Sequence, residues 1–175
     1  MPQGFPDSRD ARLAIVEQHV LSENRHDLDA VMATFGSQAR YDDEPWCDRR
    51  KGRDEVRAYY AELMRALPDL SIDVIRRHVS SDSVILEVEI RGTHDGAWRE
   101  LPATGRDVHF PLCGIFTFDA DCRLAGERIY YDRSTVLRQL GIFHEPSSMR
   151  GRIATAVNHP VTIARAYLRR PRERR

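Results

Sequence analysis

Near residue 70 of this chain of 175 residues, the spacing of apolar residues changes from a helical period to that of a strand. In the first part apolar side chains recur every three or four positions, as at Val56, Tyr59 and Leu63. From residue 70 to residue 132 they alternate, as in the segment VILEVEIRG. Helices followed by strands predict an α+β fold with helices laid across one face of a sheet.

The element boundaries follow from the same periods together with capping and breaking residues. Three helices are expected first, over residues 10–27, 27–36 and 52–69, with an extended stretch over residues 39–46 between the second and the third. An antiparallel meander is expected next, over residues 70–79, 84–92, 108–118 and 124–132. A short helix over residues 134–141, with Ser134 as its N-cap, is expected to close the domain.

Charge and cysteine content limit the function classes. The formal net charge is zero, so the whole chain offers no electrostatic case for binding nucleic acid. Three cysteines, Cys47, Cys113 and Cys122, form no C-x-x-C pair, which argues against a disulfide framework and against a zinc site. Because the chain also has no apolar secretory signal and no apolar run long enough to span a bilayer, we predict a cytoplasmic protein.

The last thirty residues differ from the rest in charge. From Arg150 onward there are eight arginines and one acid, Glu173, whereas the preceding residues are net acidic. An apolar stripe at helical spacing, formed by Val157, Val161 and Leu168, accompanies these arginines, and Pro160 interrupts it. Two interpretations stay open: a helix packed on its own domain, or weak contact with an anionic membrane surface.

Six segments in unbroken order carry a resemblance to a known family: NRHDLDAVMATF, RYDD, KGRDEVRAYYAEL, RGTHDG, PATGRDV and YYDRSTVLRQLG. The chain resembles the SnoaL-like polyketide cyclases of the nuclear transport factor 2-like superfamily. The resemblance divides the chain into an N-terminal arm over residues 1–9, a SnoaL-like domain over residues 10–145 and a basic helical tail over residues 146–175.

This resemblance implies a cone-shaped, cystatin-like fold, in which a curved antiparallel sheet wraps around the N-terminal helices and encloses an apolar pocket. It also implies a homodimer formed through the outer sheet face. The family closes a ring by intramolecular aldol condensation, with neither metal nor cofactor, and its acid–base residue is an aspartate at the position of Asp132. We therefore expect a cyclase or isomerase acting on a hydrophobic, polyketide-like small molecule. The alternative is a non-catalytic ligand-binding or assembly module of the same fold.

Asp132 and His109 are the predicted catalytic residues. A carboxylate in an apolar pocket suits removal of a proton next to a carbonyl, because desolvation raises its pKa. The competing interpretation is that Asp132 caps the following helix. His109 interrupts an apolar strand and could stabilise the enolate oxygen; alternatively, it is a hydrogen-bonded residue of the sheet surface or of the dimer interface.

Six further residues are predicted to bind the substrate: His19, Tyr41, Trp46, Tyr60, His94 and Tyr130. Core packing would also explain His19 and the first three aromatic residues, and a turn role would also explain His94.

Scytalone dehydratase-like chemistry, another activity of this superfamily, needs paired tyrosines and histidines, and Tyr130, Tyr131 and His109 keep it open.

Two other site types of this superfamily find less support. Its epoxide hydrolases use two aspartates bridged by an arginine, within an Arg-x-Asp motif, but here Arg91 is followed at that spacing by Thr93. Its steroid isomerases use an aspartate base, and no motif assigns that role to Asp42 or Asp43. The hairpin DADCR carries Cys122 where the family usually has glycine, which would cost roughly 1 kcal/mol if the turn needs a positive φ.

Overall fold

The computed structural model describes residues 8–145 and 147–168, apart from the side chains of residues 8, 166 and 167. In chain order the helices are α1 (Ser8–Asn24), α2 (Leu28–Thr34), α3 (Arg53–Ala66), α4 (Arg133–Gln139), α5 (Met149–Asn158) and α6 (Pro160–Leu168). The strands are β1 (Arg40–Asp43), β2 (Asp48–Lys51), β3 (Ser71–Val79), β4 (Ser83–Thr93), β5 (Asp107–Phe118) and β6 (Leu124–Tyr131). Most of the predicted N-terminal arm, residues 1–9, lies outside the described residues.

The six strands form one curved sheet that does not close, in the order β2-β1-β6-β5-β4-β3. Neighbouring strands are antiparallel except β1 and β6, which run parallel. The expected α+β fold is confirmed, with one correction, since the sheet is mixed. Strand β2 has the sequence DRRK, and the sequence does not predict it because it contains no apolar residue to reveal a period.

The sheet buries the face that its alternation predicts. Val84, Leu86, Val88 and Ile90 of β4 are all at most 6% exposed and face the helices. From the helices, Val16 and Val56 are completely buried against the same core. The helices and the inner sheet face therefore share one hydrophobic core.

Two local predictions concern turn geometry. Cys122 adopts φ 57°, so this hairpin does require the left-handed conformation that glycine provides at no steric cost. The N-cap of α4, by contrast, is Asp132 rather than Ser134, because the Asp132 carboxylate accepts the Ser134 N–H. The assignment of the cap to Ser134 was wrong by two residues.

The tail forms two short helices, and Pro160 is the first residue of the second. Helix α5 turns Gly151 inward, so close to the Glu145 carbonyl that a Cβ would lie 1.8 Å from its oxygen. Met149, Ile153 and Val157 on its opposite side are exposed. None of the described helices is both long and apolar enough to cross a bilayer.

Candidate active site

A cavity lies between α1, α3 and the inner face of the sheet, with a volume of about 80 Å³. Because one enclosed water needs roughly 10–15 Å³ on this scale, the cavity offers room for several waters or a small ring system. Most of its lining is aliphatic or aromatic. Among the lining residues that the structure describes, the ionisable groups are Glu23, His94, Glu127 and three tyrosines: Tyr41, Tyr59 and Tyr131.

His19 is the centre of a buried polar cluster beside this cavity. Its Nδ1 lies 2.8 Å from the Thr34 hydroxyl, and the Thr34 hydroxyl donates its only proton to the Val31 carbonyl at 2.7 Å. The Thr34 oxygen can therefore only accept from His19. This places a proton on Nδ1 of the imidazole.

The other ring nitrogen of His19 faces a hydroxyl oxygen that can only accept. Tyr60 donates its hydroxyl proton to Glu127 at 2.5 Å, which leaves its oxygen to accept from His19 Nε2 at 3.0 Å. Carboxyl oxygens of Glu127 and Glu23 lie 3.2 Å and 3.4 Å from the same nitrogen. Nε2 must carry a proton as well, so His19 is an imidazolium.

Electrostatics agree with this assignment. Burial lowers the pKa of His19, but the charge of Glu23 when that group is ionised, together with the hydrogen bond and charge of Glu127, raises that pKa above its ordinary value of 6.5. The cluster thus holds a buried positive charge between two carboxyl groups.

The two carboxyl groups are not equivalent. Burial raises the pKa of Glu23 from 4.5 to about 8; the His19 charge opposes this rise, and nearby Glu127 adds to it. At neutral pH Glu23 is therefore a neutral carboxylic acid. Glu127 differs in its contacts, because it accepts from Tyr60 and pairs with the His19 imidazolium. Two carboxyl groups held in different roles at one cavity wall form an acid–base pair.

A second ionic cluster lies beside the aromatic end of the cavity. Arg99 donates to Asp43 at 2.7 Å and to Asp48 at 3.0 Å. Its guanidinium stacks over Trp46 and Trp98, 4.9 Å and 5.2 Å from their ring centroids. Burial raises the pKa of Asp43, and its ion pair with Arg99 limits that rise. Arg99 therefore fastens the loop that carries Trp98 onto the cavity wall.

The family model of the SnoaL-like polyketide cyclases matches residues 13–140 of this chain. The chain belongs to the SnoaL-like polyketide cyclase family. Curated proteins give no significant match to this SnoaL-like chain. Membership favours a cyclase-type role without fixing the reaction.

Solved structures agree with this SnoaL-like fold. A candidate SnoaL-like polyketide cyclase from Jannaschia sp. CCS1 superposes with a TM-score of 0.71 at 21% identity, over 79% of this chain and 97% of its own. AclR, a candidate hydroxylase from Streptomyces galilaeus, superposes with a TM-score of 0.68 at 20% sequence identity, over 78% of this chain and 99% of its own. IdmH, a candidate polyketide cyclase from Streptomyces antibioticus, superposes with a TM-score of 0.63 at 20% sequence identity, over 74% of this chain and 98% of its own.

Asp132 does not enter the pocket of this SnoaL-like domain. Its carboxylate is exposed and accepts from the Ser134 and Thr135 hydroxyls, each at 2.6 Å. These bonds lower the pKa of Asp132 to about 2, so it is a poor base near neutrality. The expected inward direction was wrong, because Asp132 follows the outward-facing residues Arg128 and Tyr130 at the strand's period of two.

His109 and Tyr130 also lie away from the cavity. His109 is on the outer sheet face, its side chain 55% exposed and its Nε2 2.9 Å from Glu89. Tyr130 is 43% exposed on the same face. In this structure neither residue is positioned to contact a ligand in the pocket; both belong to the surface that the family resemblance assigns to a dimer.

Four of the six expected binding residues lie at or beside the cavity. Tyr41 and His94 line it, and His19 and Tyr60 form the polar cluster behind Glu127. Trp46 does not line the cavity but contacts a residue that does: its indole N–H donates to the Tyr131 hydroxyl at 2.8 Å.

Sequence reasoning missed Glu23, Glu127 and Arg99. Two of them could have been found: Glu23 is four residues after His19 on α1, and Glu127 shares the period of Ile129 on β6. An arginine between two aspartates also exists, although the Arg-x-Asp motif does not. Arg99, Asp43 and Asp48 come from three separate segments, so no local motif could have revealed them.

No group of three or more histidine, cysteine, aspartate or glutamate side chains is arranged to hold a metal ion within the described part of the chain.

Proposed function

We propose that this chain is an acid–base cyclase or isomerase for a small hydrophobic ketone, with Glu127 as the base and Glu23 as the acid. The observation that carries the proposal is the inequality of the two carboxyl groups around His19, one neutral and one paired with the imidazolium. Both groups line the same apolar cavity. This assignment replaces Asp132 and His109 as the reacting groups.

The proposed reaction is an intramolecular aldol closure. Glu127 removes a proton from the carbon beside a ketone, and the electrons of that C–H bond form the enolate. The enolate carbon then forms a bond with a second carbonyl carbon of the same molecule, whose oxygen takes the proton of Glu23. The proton held by Glu127 returns to Glu23, so no atom is lost and the enzyme is restored.

The surroundings of the pair support this chemistry. Electrostatic stabilisation is stronger in an apolar cavity than in water, and the His19 imidazolium balances the charge that stays on the pair. The hydrogen bond from Tyr60 fixes one Glu127 oxygen, leaving the other for the substrate. The volume of about 80 Å³ favours one or two fused rings over a larger polycycle.

Proton exchange at a ketone tests the first step without knowledge of the natural substrate. The probe is 2-tetralone, a bicyclic ketone whose C1 protons are exchanged for deuterium in heavy water. The wild type should accelerate this exchange, and Glu127→Gln should abolish the acceleration, because an amide cannot take the proton. Asp132→Asn, the matched control outside the cavity, should keep it. Loss of exchange in Asp132→Asn, with full exchange in Glu127→Gln, would contradict the proposal.

The second candidate function is a ligand-binding module without catalysis. It is favoured by the hydrogen bond from Tyr60 to Glu127, because an oxygen that already accepts a hydrogen bond is a weaker base. In that case 2-tetralone would bind to the wild type and exchange no faster than in buffer. Either activity is compatible with a homodimer formed through the outer sheet face, which stays a prediction to be tested by the solution mass.

A further inference from the structure

His94 is a buried polar residue that the proposed reaction does not use. It lines the cavity and is 1% exposed. Its Nδ1 lies 3.1 Å from the Thr104 hydroxyl, whereas its Nε2 is buried without a hydrogen-bond partner among residues 8–145 and 147–168. A buried polar atom without a partner destabilises the protein, and a ligand that supplies the missing hydrogen bond is therefore favoured.

The GTHDG and PATGR segments hold this ring in place. The His94 carbonyl accepts the N–H groups of Thr104 and Gly105, at 3.1 Å and 2.9 Å. Gly96 packs so closely on α3 that a Cβ would lie 2.0 Å from the Arg65 carbonyl oxygen. The loop therefore cannot shift to bury Nε2 against a protein group without breaking these contacts.

The state of the ring limits its partner to a few groups. Burial lowers the pKa of His94, so the imidazole is neutral and one nitrogen carries the proton. If Thr104 accepts, Nε2 is an acceptor; if Thr104 donates, Nε2 carries the proton and donates. A hydroxyl group satisfies both cases, whereas a ketone satisfies only the second.

The loop that carries His94 and the acid–base pair contact α3 at different turns. The loop after His94 bonds to the Ala66 carbonyl at the end of α3, and Glu127 bonds to Tyr60, six residues earlier on the same helix. His94 and Glu127 both line the cavity, so a ligand there meets two separate polar side chains.

We infer that His94 is a binding site for a second oxygen of the substrate, and that the substrate is a bicyclic ketone that carries a hydroxyl group in addition to the reacting carbonyl. This inference rests on the proposed function for the placement of the ketone. The acid–base pair alone specifies a ketone, and the inference adds a hydroxyl group to the substrate.

Two ketones that differ by one hydroxyl test the inference: 2-tetralone and 6-hydroxy-2-tetralone, measured by isothermal titration calorimetry. The wild type should bind the hydroxylated ketone roughly five- to tenfold more tightly, the value of one neutral hydrogen bond. His94→Leu should lose this preference and bind the two ketones with equal affinity. His94→Gln, which can bond to a hydroxyl, should restore part of it and serves if the leucine variant does not fold.

The possible results separate the two proposals. Equal binding of both ketones by the wild type, as expected if only water reaches Nε2, would overturn the inference even when exchange proceeds. A preference that persists in His94→Leu would overturn it too. A preference without any exchange would support His94 and contradict the proposed function. Failure of the wild type to bind either ketone would overturn both.

Discussion

Replacing Glu23 by glutamine should change how the stability of the protein depends on pH. In the unfolded chain the carboxyl group has its ordinary pKa of 4.5, and in the folded protein burial raises that pKa to about 8. Between these values the folded state holds one more proton than the unfolded state, so stability falls as pH rises. One proton corresponds to about 1.4 kcal/mol per pH unit. His19, whose pKa is also raised, acts in the same direction through its own titration.

Glutamine imitates the neutral acid but cannot release a proton. The free energy of unfolding, measured with urea at several values between pH 5 and pH 8, should therefore fall less steeply in Glu23→Gln, by about 1.4 kcal/mol per pH unit. Glu17→Gln is the matched control on the same helix, because Glu17 is exposed and pairs only with Arg77 in the described structure. A slope in Glu23→Gln equal to that of the wild type would refute the assignment of a neutral Glu23.

Three further predictions concern residues outside the acid–base pair. Asp132→Ala should lower the urea midpoint, because α4 loses its cap, and should leave exchange of 2-tetralone unchanged; a loss of exchange comparable to that of Glu127→Gln would revive Asp132 as the base. Arg99→Gln should cost about 3 kcal/mol of unfolding free energy, since it leaves the buried Asp43 charge without its partner; a change below experimental error would contradict the role of this ion pair. If the tail contacts membranes, vesicles with anionic lipids should sediment the protein at low salt and release it at high salt, and Ile153→Asp should abolish sedimentation; equal sedimentation of both proteins would contradict the prediction.

The fold could be predicted because the signals that encode it are local and repeated. Alternation along β4 identifies its buried face without any knowledge of its neighbours, and the same holds for the helical period of α3. Strand β2 could not be predicted, since its polar sequence forms a strand only by pairing with β1. The parallel contact of β1 with β6 joins residues more than eighty positions apart, which no local pattern encodes.

The site could be predicted only in part. The family motifs led to His94, and an interruption of the apolar face of α1 led to His19; both are at or beside the cavity. The same motifs also drew attention to Asp132, where a helix cap gives a carboxylate a structural reason to be present. The period of two along β6 predicts the residues that face the cavity better than the family motifs do. It separates Glu127, which faces the cavity, from Arg128 and Tyr130, which face outward.

The central claim is that Glu23 keeps its proton at neutral pH inside the cavity. The direct measurement is the carbon-13 chemical shift of its side-chain carboxyl group, followed by NMR from pH 4 to pH 9 and assigned with Glu23→Gln. A carboxyl resonance that stays neutral through pH 7 and titrates near pH 8 is the predicted result. A resonance that titrates near its ordinary value of 4.5 would contradict the account.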